Sequence, residues 1–481
     1  MGKNKSEFHR KNRNDTVNRN TLKKRKEINA ECEKLLRLSS HPSYLNNLWE
    51  NYLEISSCLE NIRKLESVRI DAVERFDATN DFLIWLKENG AKIDNISIHK
   101  FPDYDLGLKA EKDFEENDLL LEIPKQLIFS VYRAAPELKD IQNDVMIQHM
   151  PQVALAIALL IEKKREDSKW KPYLNILPKK YCTVLYMNVK DMMELKGSPS
   201  FEPALKQCRN IARQYSYFHK LFHNNESSVS KLLGDDFTYE DYRWAVSTVM
   251  TRQNIIPSED GSQMIHSLIP MWDMCNHQEG RITTNFNEAS NSCECHAMRD
   301  FKSGEQIFIY YGARTNTEFF VHSGFVHPGN QNDDFVLRLG VSKADALGNE
   351  RAELLTKINL LPISDYSLKP DQGLISGPLL GFLRIFNMTK EELHHWLQSD
   401  AVHDITKVNC EIEKSLDEKA IKFLKTRIII LLTQYPKTQE DCDKLLHSTQ
   451  DPCRKLVYQM KILERNILNR ILLGFEKPTK V

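Results

Sequence analysis

A helical block between two groups of short strands is the feature that most constrains the fold of this chain. Segments 96–100, 107–110 and 119–124 have the length and composition of strands, and the strand pattern returns from residue 268 to about residue 339. Between them, at about 132–251, apolar residues recur at helical intervals. Such segregation of strands and helices along the chain is typical of α+β proteins. We therefore predict an α+β domain of short β-sheets with a helical insertion.

The flanking regions predict further helical units. With 481 residues the chain is too long for one ordinary core, so about two or three packed units are expected. Apolar residues recur every three or four positions between residues 41 and 67, and helical patterns with capping signals return after residue 349. The predicted organisation is a basic disordered arm at 1–40, N-terminal helices at 41–94, an α+β domain at 95–340 with its helical insert at about 132–251, and an all-α C-terminal domain at 341–478.

Charge is distributed unevenly along the chain. The net charge is −1, but residues 1–26 carry ten Lys or Arg residues against two acidic ones. Such a run can act as a nuclear address or bind nucleic acid, although a solvated arm without a partner is the commoner outcome. The first six residues also fit the permissive pattern for N-myristoylation. We do not expect nucleic acid as a partner, and the role of the arm stays open.

The cysteines and the apolar segments indicate the compartment. Ten cysteines are scattered without a Cys-x-x-Cys pair, which indicates a reducing environment and not a disulfide scaffold. The longest apolar run, 153–161, is far shorter than the ~20 residues of a membrane-spanning helix. The polar, basic start does not have the pattern of a secretory signal. We expect a cytoplasmic protein without a membrane partner, and the basic arm leaves a nuclear fraction open.

Two short motifs predict a catalytic site. The first, Asp-Met-Cys-Asn-His at 273–277, places a carboxylate, an amide and an imidazole within five residues. The second, at 304–312, places Ile307, Ile309 and Tyr311 on one face of a strand. The tyrosine hydroxyl can thus project at the strand end, where the following glycine lets a cofactor approach the backbone. The histidine of the first motif is by itself more often structural than catalytic, so no acid–base role is assigned to it.

These motifs resemble the C-terminal half of a SET methyltransferase domain, in which an Asn-His pair follows an apolar strand and a later strand ends in Tyr-Gly. Segments 237–247, 250–254 and 268–277 extend the resemblance to the actin-specific histidine N-methyltransferases of the SET group, and it runs from about residue 75 to the end of the chain. The resemblance implies a SET domain of short, mostly antiparallel sheets with a pseudoknot. It also implies a helical insertion, as in the enzymes related to the plant Rubisco lysine methyltransferase, and a C-terminal helical domain that helps to hold the protein substrate.

The resemblance implies S-adenosylmethionine as the cofactor and no metal. Methyl transfer from a sulfonium is an in-line displacement that needs alignment more than acid or base catalysis. At 104–106 the chain has Tyr-Asp-Leu where the family has Glu-Gly-Phe, so the contacts there are expected to be partly main-chain. The implied cofactor-binding residues are Arg75, Tyr104, Asp105, Leu106, Arg252, Asp273, Met274, Cys275, Asn276, His277, Tyr311, Ser323, Gly324 and Phe325.

The choice between lysine and histidine as the methyl acceptor depends on the motif Arg-Gln-Asn at 252–254. A lysine must lose a proton before it attacks, and its channel is usually lined by aromatic rings. A histidine is mostly neutral near pH 7, and one ring nitrogen must be hydrogen-bonded so that the other presents its lone pair. The Asn254 amide is suited to this because it holds one tautomer without adding charge. The resemblance implies that Tyr311, Asn254 and Asp273 are catalytic, with Asp273 reaching the imidazole through water. The implied substrate-binding residues are Gln253, Asn254, Trp272, Ile309, Tyr311 and Arg314.

The sequence is therefore interpreted as a monomeric protein-histidine N-methyltransferase that transfers a methyl group from S-adenosylmethionine to an imidazole nitrogen of one histidine in actin. A SET-domain lysine N-methyltransferase acting on a non-histone protein is the alternative. A catalytically inactive SET scaffold and a nucleic-acid binder that uses the basic arm are further alternatives. Whether monomeric or filamentous actin is the substrate, and whether other proteins are methylated, is left open by the residues.

Overall fold

Two units make up the folded chain. The computed structural model describes residues 3–66, 74–370, 375–408, 414–435 and 437–475. The first unit contains Met1–Val189, Ala204–Ala313 and His322–Gly324, and the second contains Lys190–Pro203, Arg314–Val321 and Phe325–Val481. Each unit therefore combines segments that are distant in sequence.

Helices open the first unit. They are α1 (Lys3–Ser40), α2 (Leu48–Leu65) and α3 (Thr79–Glu88), with 3-10 turns at Pro42–Asn47 and Phe76–Ala78. The predicted disordered arm at 1–40 is wrong, because α1 continues to Ser40 and packs against α2. Cys32, Leu35 and Leu38 are buried, and the Asn51 amide donates to the Leu38 carbonyl at 3.0 Å. Apolar residues three positions apart give the end of α1 one buried face, which stabilises a helix whose start is basic.

Short strands form three sheets in the first unit. The strands are β1 (Ile96–Phe101), β2 (Asp105–Ala110), β3 (Leu119–Pro124), β4 (Phe129–Ser130), β5 (Gln253–Pro257), β6 (Met264–Leu268), β7 (Asn276–His277), β8 (Thr284–Asn287), β9 (Ser292–His296) and β10 (Gln306–Ile309). The sheet orders are β1-β2-β10-β7, β3-β9-β8 and β4-β6-β5. Only the pairing of β10 with β7 is parallel among these strands. The predicted short, mostly antiparallel sheets are confirmed.

Each of these sheets joins strands from both sides of the helical insertion. Strand β2 pairs with β10, β3 with β9, and β4 with β6. In the first of these sheets Ile98, Leu108 and Ile307 are buried, and Leu108 lies opposite Ile307. Because a buried face fixes the strand register, the two distant strand groups are held in one arrangement.

The predicted insertion is helical along its length. Its helices are α4 (Val131–Ala134), α5 (Val145–His149), α6 (Pro151–Lys164), α7 (Lys171–Ile176), α8 (Val189–Glu194), α9 (Phe201–Asn224), α10 (Ser228–Leu233) and α11 (Tyr239–Arg252), with 3-10 turns at Pro136–Ile141, Val184–Tyr186 and Gly234–Asp236. Helix α6 is buried on all sides from Val153 to Glu162 and packs against α11. Thr238 caps α11, where its side chain accepts from the Asp241 N–H. No helix among the described residues is long and apolar enough to cross a membrane.

The second unit is mostly helical. Its elements include α12 (Asn316–Glu318), β11 (Phe335–Gly340), α13 (Gly348–Lys357), β12 (Ile363–Leu368), α14 (Gly377–Asn387), α15 (Lys390–Gln398), α16 (Lys414–Gln434), α17 (Gln439–Ser448) and α18 (Pro452–Gly474), with a 3-10 turn at Val402–Thr406. The helical C-terminal region is confirmed, but the all-α prediction for 341–478 is wrong for β12, which pairs with β11. Tyr366 and Leu368 are buried on alternate positions, which gives this segment a strand's single apolar face.

Candidate active site

Most of the predicted site residues meet where α11, β7 and β10 end or begin. Helix α11 ends at Arg252, and β5 continues directly from it. A 3-10 turn at Trp272–Met274 leads into β7 and follows Met271, whose φ of 72° is rare for a residue with a side chain. Parallel pairing sets Ile309 of β10 opposite His277 of β7. The chain just past β10 therefore lies beside the 273–277 motif.

A buried ion pair lies at the centre of the site. Arg252 Nη1 donates to the Asp273 carbonyl at 2.6 Å and lies 3.3 Å from the Asp273 carboxylate Oδ2. Their side chains are 12% and 1% exposed. Burial has the largest single effect and would lower the pKa of Arg252, but the charge of Asp273 and the neighbouring tyrosines together outweigh it, so the pKa is raised. Burial raises the pKa of the Asp273 carboxyl, and Arg252 opposes that rise. The guanidinium is therefore a fixed positive charge beside a carboxylate that has lost most of its water.

Two tyrosines of the helical insert complete this centre, and neither was predicted. Tyr173 donates its hydroxyl to Asp273 Oδ2 at 2.6 Å. The Tyr181 hydroxyl shares a hydrogen bond with Thr248 at 2.9 Å and interacts with Arg252. Within the described residues, Asp273 Oδ1 is buried without a hydrogen-bond partner. Tyr173 precedes Asp273 by 100 positions, and no local pattern in the sequence signals a contact over that separation.

A second arginine lies beside the first. Arg75 Nη1 donates to Asp105 Oδ2 at 2.6 Å, and its Nη2 lies 3.6 Å from Met274 Sδ. Arg252 Nη1 lies 3.9 Å from the same sulfur. Burial, and next the charge of Arg252, lower the pKa of Arg75 to about 10. Two buried guanidiniums that converge in this way fit an anionic group such as an amino-acid carboxylate, because its charge would offset their repulsion.

A tight cradle forms where β2 meets β7 and β10. Asn276 Nδ2 donates to the Leu106 carbonyl at 3.1 Å. A Cβ atom at Gly107 would lie 2.9 Å from Asn276 Nδ2 and 2.4 Å from Gln306 Nε2. In the described part of the chain, Gln306 Nε2 is also buried without a partner. Tyr104, in contrast, is 45% exposed, so the polar atoms of this cradle come from Leu106 and the two amides.

Tyr311 is tied to the first motif by two hydrogen bonds. Its hydroxyl donates to the Cys275 carbonyl at 2.6 Å, and its backbone N–H donates to His277 Nδ1 at 3.3 Å. His277 is buried, and its ring centroid is 5.1 Å from that of Tyr311. Because Nδ1 accepts a hydrogen bond from the backbone, His277 helps to hold the strand end.

The other predicted substrate residues of the first unit lie on β5, on the 3-10 turn at Trp272–Met274 and on β10. Asn254 Nδ2 donates to the Arg252 carbonyl at 3.2 Å, while Asn254 Oδ1 accepts no hydrogen bond from any described residue. Gln253 Oε1 pairs with His266 Nδ1 at 2.8 Å. Trp272 and Ile309 are buried, at 6% and 5% exposure. Asn254 thus offers a half-buried carbonyl oxygen, which can accept an N–H without adding charge.

The remaining predicted residues are divided between the units. Ser323 and Gly324 belong to the first unit, where Gly324 has a φ of 75° and a Cβ there would lie 2.8 Å from the Thr183 nitrogen. Arg314 and Phe325 belong to the second unit, Arg314 being exposed and Phe325 half-buried. The predicted role of Phe325 at the adenine and that of Arg314 at the substrate stay predictions.

Known proteins share both parts of this chain. The family model described as the SET domain matches residues 105–312, and the model described as Rubisco LSMT substrate-binding matches residues 342–468. The chain is 38% identical over 460 residues to the actin-histidine N-methyltransferase of Homo sapiens, which covers 94% of this chain and 77% of that protein. It is 38% identical over 457 residues to the protein of the same name from Xenopus tropicalis, covering 92% of this chain and 78% of that protein.

Solved structures of Rubisco LSMT share the fold. The SET domain of LSMT bound to lysine and AdoHcy superposes with a TM-score of 0.67 at 22% identity, covering 83% of this chain and 91% of that one. Rubisco LSMT bound to AdoMet superposes with a TM-score of 0.65 at the same identity and coverage. At this identity the likeness establishes a common fold.

Proposed function

This chain belongs to the family of actin-histidine N-methyltransferases, and from that premise we propose that it transfers a methyl group from S-adenosylmethionine to one imidazole nitrogen of a histidine in actin. The matches to the SET and substrate-binding families support the same reaction class. One observation carries the choice of acceptor: Asn254 follows Arg252 of the ion pair by two residues and donates its Nδ2 to the Arg252 carbonyl, which leaves its amide oxygen for a donor on the substrate. An amide at this position suits a neutral imidazole, since it can accept one ring N–H and leave the other nitrogen's lone pair for the methyl group.

The cofactor contacts follow from the buried donors. S-adenosylmethionine, when bound, supplies an electrophilic methyl group on a positively charged sulfur. Arg75 and Arg252 would hold its carboxylate, because both guanidiniums are mostly buried and converge near Met274. Asn276 and the Leu106 main chain would hold it from the cradle beside Gly107. These groups bind and orient, which is what an in-line displacement requires of a protein.

The acceptor is held by the opposite side of the same network. Asn254 Oδ1 would accept a hydrogen bond from the ring N–H, and Asp273 Oδ1 would reach the ring through water. As the ring nitrogen bonds the methyl carbon, the carbon–sulfur bond would break and release neutral S-adenosylhomocysteine; the imidazole would gain a positive charge and then lose its other N–H proton to solvent. The Asp273 carboxylate, which is fixed and largely without water, stabilises that charge as it develops. Tyr311, whose hydroxyl donates to the Cys275 carbonyl, would lie between the cofactor and the acceptor.

The proposal is tested by methyl transfer from labelled S-adenosylmethionine to purified actin, with mass-spectrometric location of the product. We expect the label on one histidine and a loss of about tenfold or more in kcat/KM for Asn254→Ala, because the ring is no longer held in one tautomer. Asn285→Ala is the matched control, since Asn285 is an exposed asparagine on β8 of the same unit. Label on a lysine would replace the proposal by a lysine N-methyltransferase, and no transfer to actin would refute the substrate.

We propose further that the enzyme acts as a monomer in the cytoplasm, with actin as its protein partner and an additional nuclear fraction. The nine cysteines of the described residues form no disulfide with one another, and eight of them are buried, which supports a reducing compartment. Imaging of the tagged full chain, together with its mass by light scattering, tests both statements. Exclusive recovery in a secreted fraction, or a stable dimer, would contradict them.

A further inference from the structure

The two oxygens of the Asp273 carboxylate have different surroundings. Oδ2 accepts the Tyr173 hydroxyl at 2.6 Å and lies 3.3 Å from Arg252 Nη1. Oδ1 is buried and has no hydrogen-bond partner in the described part of the chain. A buried carboxylate oxygen without a partner is unfavourable, so it is kept where something binds to it during function. The two donors therefore decide which oxygen is left for the acceptor.

Tyr173 is rigidly held, which suits it to this task. Its side chain is fully buried on α7, and its ring centroid lies 6.2 Å from that of Phe82 and 6.5 Å from that of Phe129. Burial raises the pKa of its hydroxyl well above the usual value, so the hydroxyl keeps its proton and remains a donor. Arg252, in comparison, donates mainly to the Asp273 carbonyl and holds the carboxylate at the longer distance.

We propose that Tyr173 is a positioning residue for methyl transfer: its hydroxyl fixes Oδ2 of Asp273 so that Oδ1 faces the acceptor imidazole, a role that rests on the proposed function. Without this bond the carboxylate can rotate about its last side-chain torsion, which is broad for aspartate. Oδ1 would then be aligned with the imidazole for only part of the time. The chemical step is slowed, while cofactor binding is unaffected because the paired arginines are unchanged.

A double-mutant cycle tests this role, with kcat, KM for actin and the dissociation constant of S-adenosylmethionine measured for each protein. Tyr173→Phe is expected to lower kcat about tenfold, the effect of losing one hydrogen bond to a charged group, with unchanged cofactor affinity. In the Asp273→Asn background the same change is expected to alter kcat by less than about twofold, because the group that Tyr173 orients is already impaired. A purely structural tyrosine would give the same loss in both backgrounds.

Tyr242→Phe is the matched control. Tyr242 is also fully buried in the first unit and donates its hydroxyl to Gln214 Oε1 at 2.9 Å. It should reduce the melting temperature about as much as Tyr173→Phe and leave kcat unchanged. An unchanged kcat for Tyr173→Phe, or additive losses in the cycle, would overturn the inference while histidine methylation by the wild-type enzyme still stands. Absence of histidine methylation by the wild-type enzyme would instead refute the proposed function and this role with it.

A second variant keeps the test valid if Tyr173→Phe does not fold. Site-specific 3,5-difluorotyrosine at position 173 keeps the ring and the hydroxyl but makes the hydroxyl a more acidic donor. A change in kcat at position 173, with none for the same replacement at position 242, supports the positioning role. An unchanged kcat at position 173 would contradict it.

Discussion

Gly107→Ala is expected to weaken the binding of S-adenosylmethionine by disturbing the Asn276 amide. An added Cβ would lie 2.9 Å from Asn276 Nδ2 and 2.4 Å from Gln306 Nε2, well inside the ~3.5–4.0 Å optimum for nonbonded atoms. Gln306 is buried and Asn276 is half-buried, so we expect Asn276 to withdraw from the Leu106 carbonyl that it contacts at 3.1 Å. Overpacking of this kind costs about 1–3 kcal/mol, and the lost hydrogen bond about 0.5–1.5 kcal/mol.

We expect about 1.4 kcal/mol of this energy to act on the cofactor site. That amount raises the dissociation constant of S-adenosylmethionine about tenfold. Isothermal titration of the purified proteins with S-adenosylmethionine measures it, and thermal unfolding measures the overpacking. Gly234→Ala is the control, because a Cβ there meets only the Phe222 carbonyl oxygen at 3.7 Å. A folded Gly107→Ala protein whose dissociation constant agrees with wild type within about twofold would refute the assignment of this cradle to the cofactor.

Three further predictions concern stability and the arginine centre. Burial raises the pKa of Glu464 to about 7 from an ordinary 4.5, so its protonated form stabilises the fold below about pH 4.5, and this stability is lost as the pH rises through 7; the loss is on the order of 3 kcal/mol. The free energy of unfolding measured with urea should therefore fall between pH 5 and 8 more in wild type than in Glu464→Gln. Equal slopes of this free energy against pH in the two proteins would contradict the assignment. Leu35→Ala should lower the free energy of unfolding by about 2–5 kcal/mol, because Leu35 is fully buried. Leu22→Ala, at an exposed site of α1, should change it by under about 0.5 kcal/mol. Equal small effects would mean that α1 does not pack against α2. Arg252→Lys keeps the charge but loses the forked donor, so kcat/KM should fall about tenfold. The control is Arg281→Lys, at an exposed arginine, which should have no effect. Unchanged methyl transfer by Arg252→Lys would contradict the assignment of Arg252 to the site.

Local patterns in the sequence predicted many of the elements of the fold. Apolar periodicity predicted the buried helix α6 and the short strands, since period and length are properties of neighbouring residues. The same patterns failed at 1–40, where the charge of the first residues concealed the apolar face formed by Cys32, Leu35 and Leu38. They also failed at β12, because a single strand among helices is stabilised by its partner β11 and not by its own residues.

The candidate site also has a part that was predictable from the sequence and a part that was not. The sequence by itself determined the 273–277 and 304–312 motifs and the Arg-Gln-Asn motif at 252–254 that contains Asn254, because each is continuous in the chain. Only the tertiary structure decided that Arg75 and Arg252 converge on Met274 and that Tyr173 reaches Asp273. These contacts join residues up to 199 positions apart, and no fixed spacing in a sequence encodes them. Which groups become buried together, and therefore which charges and pKa values are shifted, is decided by packing between elements and not by the order of residues within them.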